Sequence, residues 1–211
     1  MGLFRDRVAP ALYDLGCRRI EPEFGPRRAA LLASARGRVL EIGAGTGLNL
    51  QHYPGEVEEI VLTEPEPGMM RRAEAKAAEL GLPVRFVEAS GEMLPFSDGE
   101  FDTVVATLVL CSVDDQADVL AELRRVLKPG GRFLFIEHVR SDEPKLGRWQ
   151  DRLERPWAAT VGMGCHPNRR TLESIESAGF EIEELERGTL PNVPPLTRPT
   201  IAGRASPPRM I

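Results

Sequence analysis

The sequence predicts an α/β protein with a doubly wound, mostly parallel seven-stranded sheet and helices on both faces. Short apolar runs alternate with segments of helical period, a pattern typical of parallel strands joined by right-handed crossovers. Glycine and proline stand where one period gives way to the other. The length of 211 residues fits a single domain of this kind. In such sheets ligands bind beyond the carboxyl ends of the strands, so functional side chains are expected there.

Composition and charge argue against several classes of function. The net charge is −5 with acidic and basic residues interspersed, which argues against a nucleic-acid partner. The three cysteines lie far apart and outside C-x-x-C spacing, so the sequence indicates neither a disulfide framework nor a metal site. No apolar run approaches the roughly 18 residues of a transmembrane helix, and the N-terminus lacks the apolar core of a signal peptide. We therefore expect a cytoplasmic protein without a stable membrane anchor, in an oligomeric state that the sequence leaves open.

Residues 1–36 are predicted to form a helical segment ahead of the main domain, which spans residues 37–211. Four apolar residues recur at helical spacing: Val8, Ala11, Leu12 and Leu15. Pro22 and Pro26 are expected to break the chain before a second helix, and the Arg27-Arg28 pair to lie on a solvated face. Periodicity leaves three roles open for this segment: a lid over a ligand pocket, a helix packed on the sheet, or a helix on a membrane surface.

The stretch over residues 39–50 predicts a buried strand, a tight turn and the start of a helix. The turn contains three alternate glycines, Gly43, Gly45 and Gly47, which allow positive φ and a close approach of a ligand to the backbone. Its amides and the helix N-terminus behind them favour an anionic group. Dinucleotide-binding turns have a third glycine or alanine where this chain has Leu48, so the spacing differs from theirs.

The next two strands and the helix between them continue the pattern. Residues 60–63 are a predicted strand, and Glu64 at its carboxyl end can accept both hydroxyls of a ribose diol. A helix begins at Pro67 and keeps four residues on one apolar face: Met70, Ala73, Ala77 and Leu80. Residues 84–87 form the following strand. The loop over residues 90–96 then offers small, acidic and apolar side chains that can surround an adenine.

Residues 101–110 are the longest apolar run and predict a central strand buried on both faces. The end of this run, through residues 111–113, should line the ligand pocket. Asp114 or Asp115 can cap the next helix. Its core stripe is predicted from four residues: Leu120, Leu123, Val126 and Leu127.

The last third of the chain is less regular. Residues 132–139 predict another strand, with Glu137 and His138 near its carboxyl end. Residues 141–168 show no clear period and contain two large aromatic residues that either plug the core or wall a substrate pocket: Trp149 and Trp157. Three elements complete the predicted sheet: a capped helix over residues 171–178 and strands over residues 180–182 and 200–203.

Several blocks resemble the class I S-adenosylmethionine (SAM) methyltransferases: Glu41 to Gly47, Leu94-Pro95-Phe96, Phe101-Asp102 and Leu127 to Gly131. Other blocks are similar to the methyltransferase-like-seven enzymes, which are thiol S-methyltransferases: residues 45–49, 107–113, 137–139 and the region from Trp149 to Cys165. The resemblance implies a Rossmann-like methyltransferase fold with SAM as cofactor. Members of that subfamily carry a hydrophobic N-terminal anchor that this chain lacks, and usually Asp in place of Glu64.

The predicted site residues follow from the motifs and the resemblance together. Those expected to bind the cofactor are Glu41, Gly43, Ala44, Gly45, Gly47, Asn49, Glu64, Pro65, Ser90, Gly91, Glu92, Met93, Thr107 and Leu108. His138 is the candidate catalytic base, and the alternative is a structural histidine bonded to a loop carbonyl. Cys111 and Cys165 are expected to be small buried residues. No metal is predicted, because His166 beside Cys165 supplies only two ligands.

The predicted activity is transfer of a methyl group from SAM to a small-molecule acceptor, with a thiol favoured. A thiol of pKa near 8.5 ionises in part at neutral pH, whereas a hydroxyl or amine needs a base. The alternatives are O-, N- or C-methylation of a quinone, phenol or lipid-like acceptor, a non-catalytic SAM-binding module, and a nicotinamide-dependent oxidoreductase. The acceptor is expected between the N-terminal helix around Tyr13 and residues 149–165.

Overall fold

Strands and helices alternate along most of the chain. The computed structural model describes residues 9–160, 162, 164–190 and 192–208. The elements in chain order are α1 (Ala9–Leu32), β1 (Gly37–Ile42), β2 (Val57–Thr63), α2 (Pro67–Leu80), β3 (Val84–Val87), β4 (Phe101–Thr107), α3 (Gln116–Val126), β5 (Leu127–His138), α4 (Pro144–Ala158), α5 (Thr171–Ser177), β6 (Glu181–Thr189) and β7 (Pro199–Ser206).

All seven strands belong to one sheet, in the order β3-β2-β1-β4-β5-β7-β6. β1 to β5 pair in parallel, whereas β7 is antiparallel to both β5 and β6. The prediction of a mostly parallel, seven-stranded sheet is confirmed. Because the five parallel strands run the same way, the residues that follow them meet at one edge of the sheet.

Helices cover both faces of the sheet, as predicted. Leu40 and Ile42 of β1 pack in one cluster with apolar side chains of α3 and α5. Val39, which points the other way, packs with Leu32 at the end of α1. On that second face α2 covers Leu62 of β2. The alternation of side chains along each strand therefore separates the two helical layers.

α1 is one continuous helix of 24 residues, so the predicted break at Pro22 and Pro26 is wrong. Both prolines lie on the exposed side, where their rings face away from the protein. The opposite side is buried through five residues: Cys17, Ile20, Phe24, Arg28 and Leu32. The predicted apolar stripe is also wrong, since Leu12 and Leu15 are each 54% exposed. Val8, the first residue of that stripe, lies outside the described residues.

α4 occupies part of the region predicted to be irregular. Its fully buried residues are Gly147 and Gln150, whereas the apolar side chains of Leu146, Leu153 and Trp157, which recur at helical spacing, are only half-buried. The Gln150 side chain holds the helix in place: Oε1 accepts from the Ser141 amide at 2.7 Å, and Nε2 donates to the carbonyls of Val139 at 3.1 Å and Leu196 at 2.8 Å. Polar contacts thus fix this helix against the sheet.

Smaller differences concern boundaries and exposed side chains. β4 ends at Thr107, three residues before the predicted end. Leu80 of α2 is exposed, and Trp149 of α4 is 49% exposed and does not plug the core. Met163, in the same predicted insert, lies outside the described residues. Among the described helices, none combines the length and the apolar character needed to cross a membrane.

Candidate functional site

The turn after β1 depends on glycine. Gly43, Gly45 and Gly47 have φ values of 55°, 55° and 76°, in the left-handed region. A Cβ at Gly43 would lie 2.7 Å from a methyl carbon of Val109, and one at Gly47 would lie 2.9 Å from the Leu50 side chain. Gly43 and Gly47 are therefore required both by backbone conformation and by packing.

Gly45 faces more open space. The nearest atoms to a Cβ placed there belong to the ring of Tyr13 on α1, at 3.9 Å. The hydroxyl of Thr46, the next residue, is buried and has no hydrogen-bond partner among the described residues. Buried hydroxyls normally have a partner, so this one is available to a ligand. The N-terminal half of α1 thus lies over a turn that, within the described part of the chain, leaves space at Gly45 and an unpaired hydroxyl at Thr46.

Glu41, the acid before the glycines, is buried and bonded to the protein through both oxygens. Oε1 accepts from Nδ2 of Asn49 at 3.0 Å, and Oε2 accepts from the hydroxyl of Tyr53 at 2.6 Å. Burial raises the pKa of Glu41 to about 7, although Tyr53, Arg28 and Asn49 favour the ionised form. Glu41 and Asn49 therefore hold the turn in shape.

Arg28 of α1 reaches the same network and is only 3% exposed, so its prediction as a solvated residue is wrong. Nη1 donates to Oδ1 of Asn49 at 2.7 Å and to Oγ1 of Thr107 at 3.1 Å. The guanidinium carbon lies 4.4 Å from the centre of the Phe24 ring. Arg28 therefore connects α1 to the ends of both β1 and β4, a role that its charged side chain did not indicate in the sequence.

Glu64 follows β2 and is 6% exposed. Oε2 accepts from the amide of Gly45 at 2.8 Å, and Oε1 accepts from the amide of Glu66 at 3.0 Å. Burial raises the pKa of Glu64, while the two amides favour the ionised form. Each oxygen keeps a further lone pair, so the carboxylate fixes the glycine turn and can still accept hydrogen bonds from a ligand.

The loop after β3 lies at the same edge of the sheet. A Cβ on Gly91 would lie 3.5 Å from the end of the Ile42 side chain, which places this loop beside the end of β1. Oε1 of Glu92 accepts from the amide of Asp114 at 3.1 Å, and Met93 is 78% exposed. Three further residues predicted to bind the cofactor differ in exposure. Ala44, after β1, is buried; Ser90, after β3, is half-buried; and Pro65, after β2, is exposed.

β4 ends in a strained turn held by Glu137 of β5. Leu108 has a φ of 59°, which is unfavourable for a branched side chain. The amides of Val109, Leu110 and Cys111 donate to the Glu137 carboxylate at 2.9, 2.9 and 3.3 Å. Burial raises the pKa of Glu137 to about 7, against the effect of those amides. Three bonds to one buried carboxylate thus fix the loop that carries Cys111.

Cys111, His138 and Cys165 converge beside this loop. Their ligand atoms all lie within 4.8 Å of one another, and Nε2 of His138 is 2.7 Å from Sγ of Cys165. A hydrogen bond from Cys111 and the nearby His138 lower the pKa of Cys165 to about 4. That hydrogen bond and burial raise the pKa of Cys111. The histidine side chain therefore contacts a thiol, not the loop carbonyl of the alternative prediction.

The cluster brings together residues from three separate parts of the chain. The amide of His166 donates to the carbonyl of Cys111 at 2.8 Å and so joins the loop after α4 to the loop after β4. His138 could be noticed in the sequence as a residue at a strand end. The approach of Cys165 could not, because no local spacing relates it to Cys111 or His138.

The sheet order, the glycine turn after β1 and the acid after β2 are those of the class I SAM-dependent methyltransferase fold. Solved structures show the same fold. The [4+2]-cyclase SpnF matches with a TM-score of 0.70 at 22% identity, over 88% of this chain and 80% of that one. A SAM-dependent methyltransferase from Methanosarcina mazei matches with a TM-score of 0.66 at 22% identity, over 82% of this chain and 93% of that one.

Sequence comparisons identify the family. A family described as "Methyltransferase domain" matches residues 40–135. Human thiol S-methyltransferases TMT1B and TMT1A are 38% and 37% identical over 182 and 177 residues, which cover 82% of this chain and 72% and 71% of theirs. Rat TMT1B is 41% identical over 155 residues, or 70% of this chain and 62% of its own length, less than two thirds. The chain belongs to this methyltransferase family, and its cofactor is SAM.

Proposed function

We propose that the protein transfers the methyl group of SAM to the sulfur of a small-molecule thiol. The observation that carries the proposal is the state of the two titratable side chains at the end of β5. The Glu137 carboxylate accepts hydrogen bonds from three backbone amides, and Nε2 of His138 contacts Sγ of Cys165. Both oxygens of Glu137 and Nε2 of His138 are thus already engaged, and Nδ1 of His138 is buried, so neither side chain is arranged as a general base for a hydroxyl or amine acceptor. A thiol, with a pKa near 8.5, has no such need, and the names of the human relatives support the same acceptor.

The chain offers groups suited to each part of SAM. In this proposal Glu64 accepts the ribose hydroxyls through the lone pairs that its two amide bonds leave free. The turn around Gly45 and the hydroxyl of Thr46 bind the methionine carboxylate, and the loop from Gly91 to Met93 borders the adenine. Bound SAM supplies an electrophilic methyl group on a positively charged sulfur. The protein aligns this methyl group with the acceptor and keeps water away.

We assign residues 1–36 the role of a lid on the domain formed by residues 37–211. Tyr13 lies above Gly45, and Arg28 bonds to the turn from the same helix, so displacing α1 would uncover the cofactor site. His138, the predicted catalytic residue, lies at the end of β5, and in this proposal it borders the methyl acceptor. A cytoplasmic location and the lack of a nucleic-acid partner stay predictions from composition.

A panel of acceptors tests the proposed activity. The full chain is incubated with SAM and an alkyl thiol, a catechol, an amine or a quinol, and release of the demethylated cofactor is measured. We expect turnover of the thiol to exceed that of the others by about 100-fold, the usual contribution of a general base that the other acceptors would lack. Turnover of the catechol, amine or quinol without the thiol would contradict the sulfur assignment.

A carbon acceptor is the second candidate, because the C-methyltransferase UbiE of Azotobacter vinelandii is 32% identical over 166 residues, or 68% of this chain and 66% of that one. Turnover of the quinol in the acceptor panel tests this second candidate. Glu64→Ala should lower turnover of whichever acceptor is used when SAM is limiting, because it weakens cofactor binding. Glu74→Ala, which removes an exposed acid of α2, is the matched control and should leave turnover unchanged.

A further inference from the structure

We propose that Cys111, His138 and Cys165 form a zinc site whose fourth position is open to the acceptor. Zinc is bound tetrahedrally by thiolate and imidazole groups, and catalytic sites keep one position free beside three protein ligands. Two cysteines and one histidine are such a set. Soft thiolates also favour zinc over magnesium or calcium. Only the identity of the fourth ligand rests on the proposed thiol activity; binding of the ion does not.

The distances between the ligand atoms suit one ion. A tetrahedral site with these ligands has edges of about 3.6–3.8 Å, from bond lengths near 2.3 Å to sulfur and 2.05 Å to nitrogen. The three ligand atoms lie within 4.8 Å of one another. On binding the ion, the distance between Nε2 of His138 and Sγ of Cys165 would increase from its present 2.7 Å. Cys165 can make this movement because it lies half-buried in the loop between α4 and α5.

The surroundings of the cluster hold its other two members in place. Cys111 is buried in the loop whose three amides bind Glu137, and His138 is buried at the end of β5. Nδ1 of His138 is buried without a hydrogen-bond partner among the described residues. Its ring therefore contacts polar groups through Nε2, the nitrogen that faces Cys165. Two thiolates would also balance the charge of a divalent ion in this buried place.

Zinc in this position would activate a thiol acceptor. The acceptor sulfur binds the ion and its proton passes to water, since a coordinated thiol is deprotonated. The sulfur then forms a bond to the transferred methyl carbon. The bond from that carbon to the sulfonium breaks, and its electron pair stays on the departing sulfur. The neutral thioether product is a poorer ligand than a thiolate and leaves the ion.

Metal binding can be measured without SAM or an acceptor. The reduced, chelator-treated full chain is dialysed against Zn²⁺, and bound metal is quantified by mass spectrometry. We expect about one ion per chain, and an affinity about 100-fold lower in Cys165→Ser and in His138→Ala. Cys17→Ser, which changes a buried cysteine of α1 outside the cluster, should still bind one ion. Cys165 is half-buried, so its variant is the one most certain to fold.

Cobalt reports on the ligands and on the open position. Co²⁺ bound to the wild type should show thiolate charge-transfer absorption and a tetrahedral spectrum that shifts when an alkyl thiol is added. A wild type that binds no zinc, or a Cys165→Ser variant of unchanged affinity, overturns the metal site. A spectrum unmoved by the thiol overturns the open position. Methylation of thiols by the metal-free enzyme would reject the role of zinc yet leave the proposed function intact.

Discussion

Nη1 of Arg28 lies 2.7 Å from Oδ1 of Asn49, in a buried contact between α1 and the turn after β1. Nδ2 of the same Asn49 donates to Glu41 at 3.0 Å and to Oγ1 of Thr107 at 2.9 Å. One amide side chain thus joins the helix before the sheet to the ends of two central strands. The stability of the fold and the shape of the cofactor turn should therefore respond together to changes in this network.

Arg28→Ala should lower the free energy of unfolding by about 3 kcal/mol or more, since it removes one partner from a buried charged network. The loss leaves the Oδ1 of Asn49 unpaired and Glu41 without its nearby cation. Denaturant unfolding measures the effect. Arg19→Ala, an exposed position on the same helix, should change stability by less than about 0.5 kcal/mol. Equal effects of the two variants would argue against the network.

The contribution of Glu41 and Glu137 to the stability of the cofactor-free protein should fall as pH rises from about 4.5 to about 7. Glu41 and Glu137 have pKa values near 7 in the folded protein against 4.5 unfolded, because burial disfavours their ionised forms. The unfolded chain therefore releases these protons first. The stability that the two protonated carboxyls contribute is fully present below pH 4.5. It decreases as pH rises to about 7, and above that pH the two groups contribute no further change. Each carboxyl accounts for about 3 kcal/mol.

Unfolding free energies measured over that pH range check this expectation. Glu41→Gln should remove about half of the slope, since Glu137 still titrates. Glu74→Gln changes an exposed acid and should leave the slope intact. If the slope of Glu41→Gln equalled that of the wild type and of Glu74→Gln, Glu41 would be ionised in the folded protein throughout this range.

The sequence predicted the existence and order of the first five strands because each contains a short apolar run. The end of β4 and the start of β5, where no glycine or proline marks the boundary, were misplaced. The sequence failed at α1, where the buried side includes the charged Arg28 and the prolines lie on the exposed side. It also missed α4, in which the apolar residues at helical spacing, Leu146, Leu153 and Trp157, are only half-buried. The buried contacts of this helix are made by the polar side chain of Gln150. Hydrophobic period alone does not show which polar side chains fix a helix to the sheet.

The same limit applies to the site. Glu64 and the glycine turn could be placed from the sequence, because both follow directly from strand ends. The contact of His138 with Cys165 depends on how the loop after α4 returns to the sheet. That path is set by long-range contacts such as the amide of His166 with the carbonyl of Cys111, which no motif spacing expresses.

Alanine at two glycines of the turn should have different effects. Gly47→Ala should mainly reduce stability, by about 2–4 kcal/mol, because the new Cβ would lie 2.9 Å from Leu50 at a φ of 76°. Gly45→Ala meets nothing closer than 3.9 Å and should cost only about 1–2 kcal/mol of backbone strain while it obstructs the cofactor. Thermal unfolding and SAM titration of each variant separate the effects.

Gly55→Ala is the control for this pair, since a Cβ there meets no atom within 4 Å. It should preserve both stability and SAM affinity. If Gly45→Ala bound SAM as tightly as the wild type, the turn at Gly45 would not border the cofactor.

Glu64→Ala should weaken SAM binding by about 1–3 kcal/mol, the range for a lost charged hydrogen bond. The change also leaves the amides of Gly45 and Glu66 without their acceptor, so stability is measured in parallel. Calorimetric titration with SAM, its demethylated product and NAD gives the affinities. SAM and its product should bind and NAD should not. An unchanged affinity for SAM in Glu64→Ala would place the ribose elsewhere.

The most direct measurement of the proposed activity uses one acceptor that carries both a thiol and a hydroxyl group. The enzyme is supplied with SAM bearing a trideuterated methyl group, and mass spectrometry with NMR locates the label in the product. We predict that the label is found on sulfur alone and that Glu64→Ala forms less labelled product than the wild type at the same limiting SAM concentration. Label on oxygen or carbon, with the thiol left unmodified, would contradict methyl transfer to sulfur.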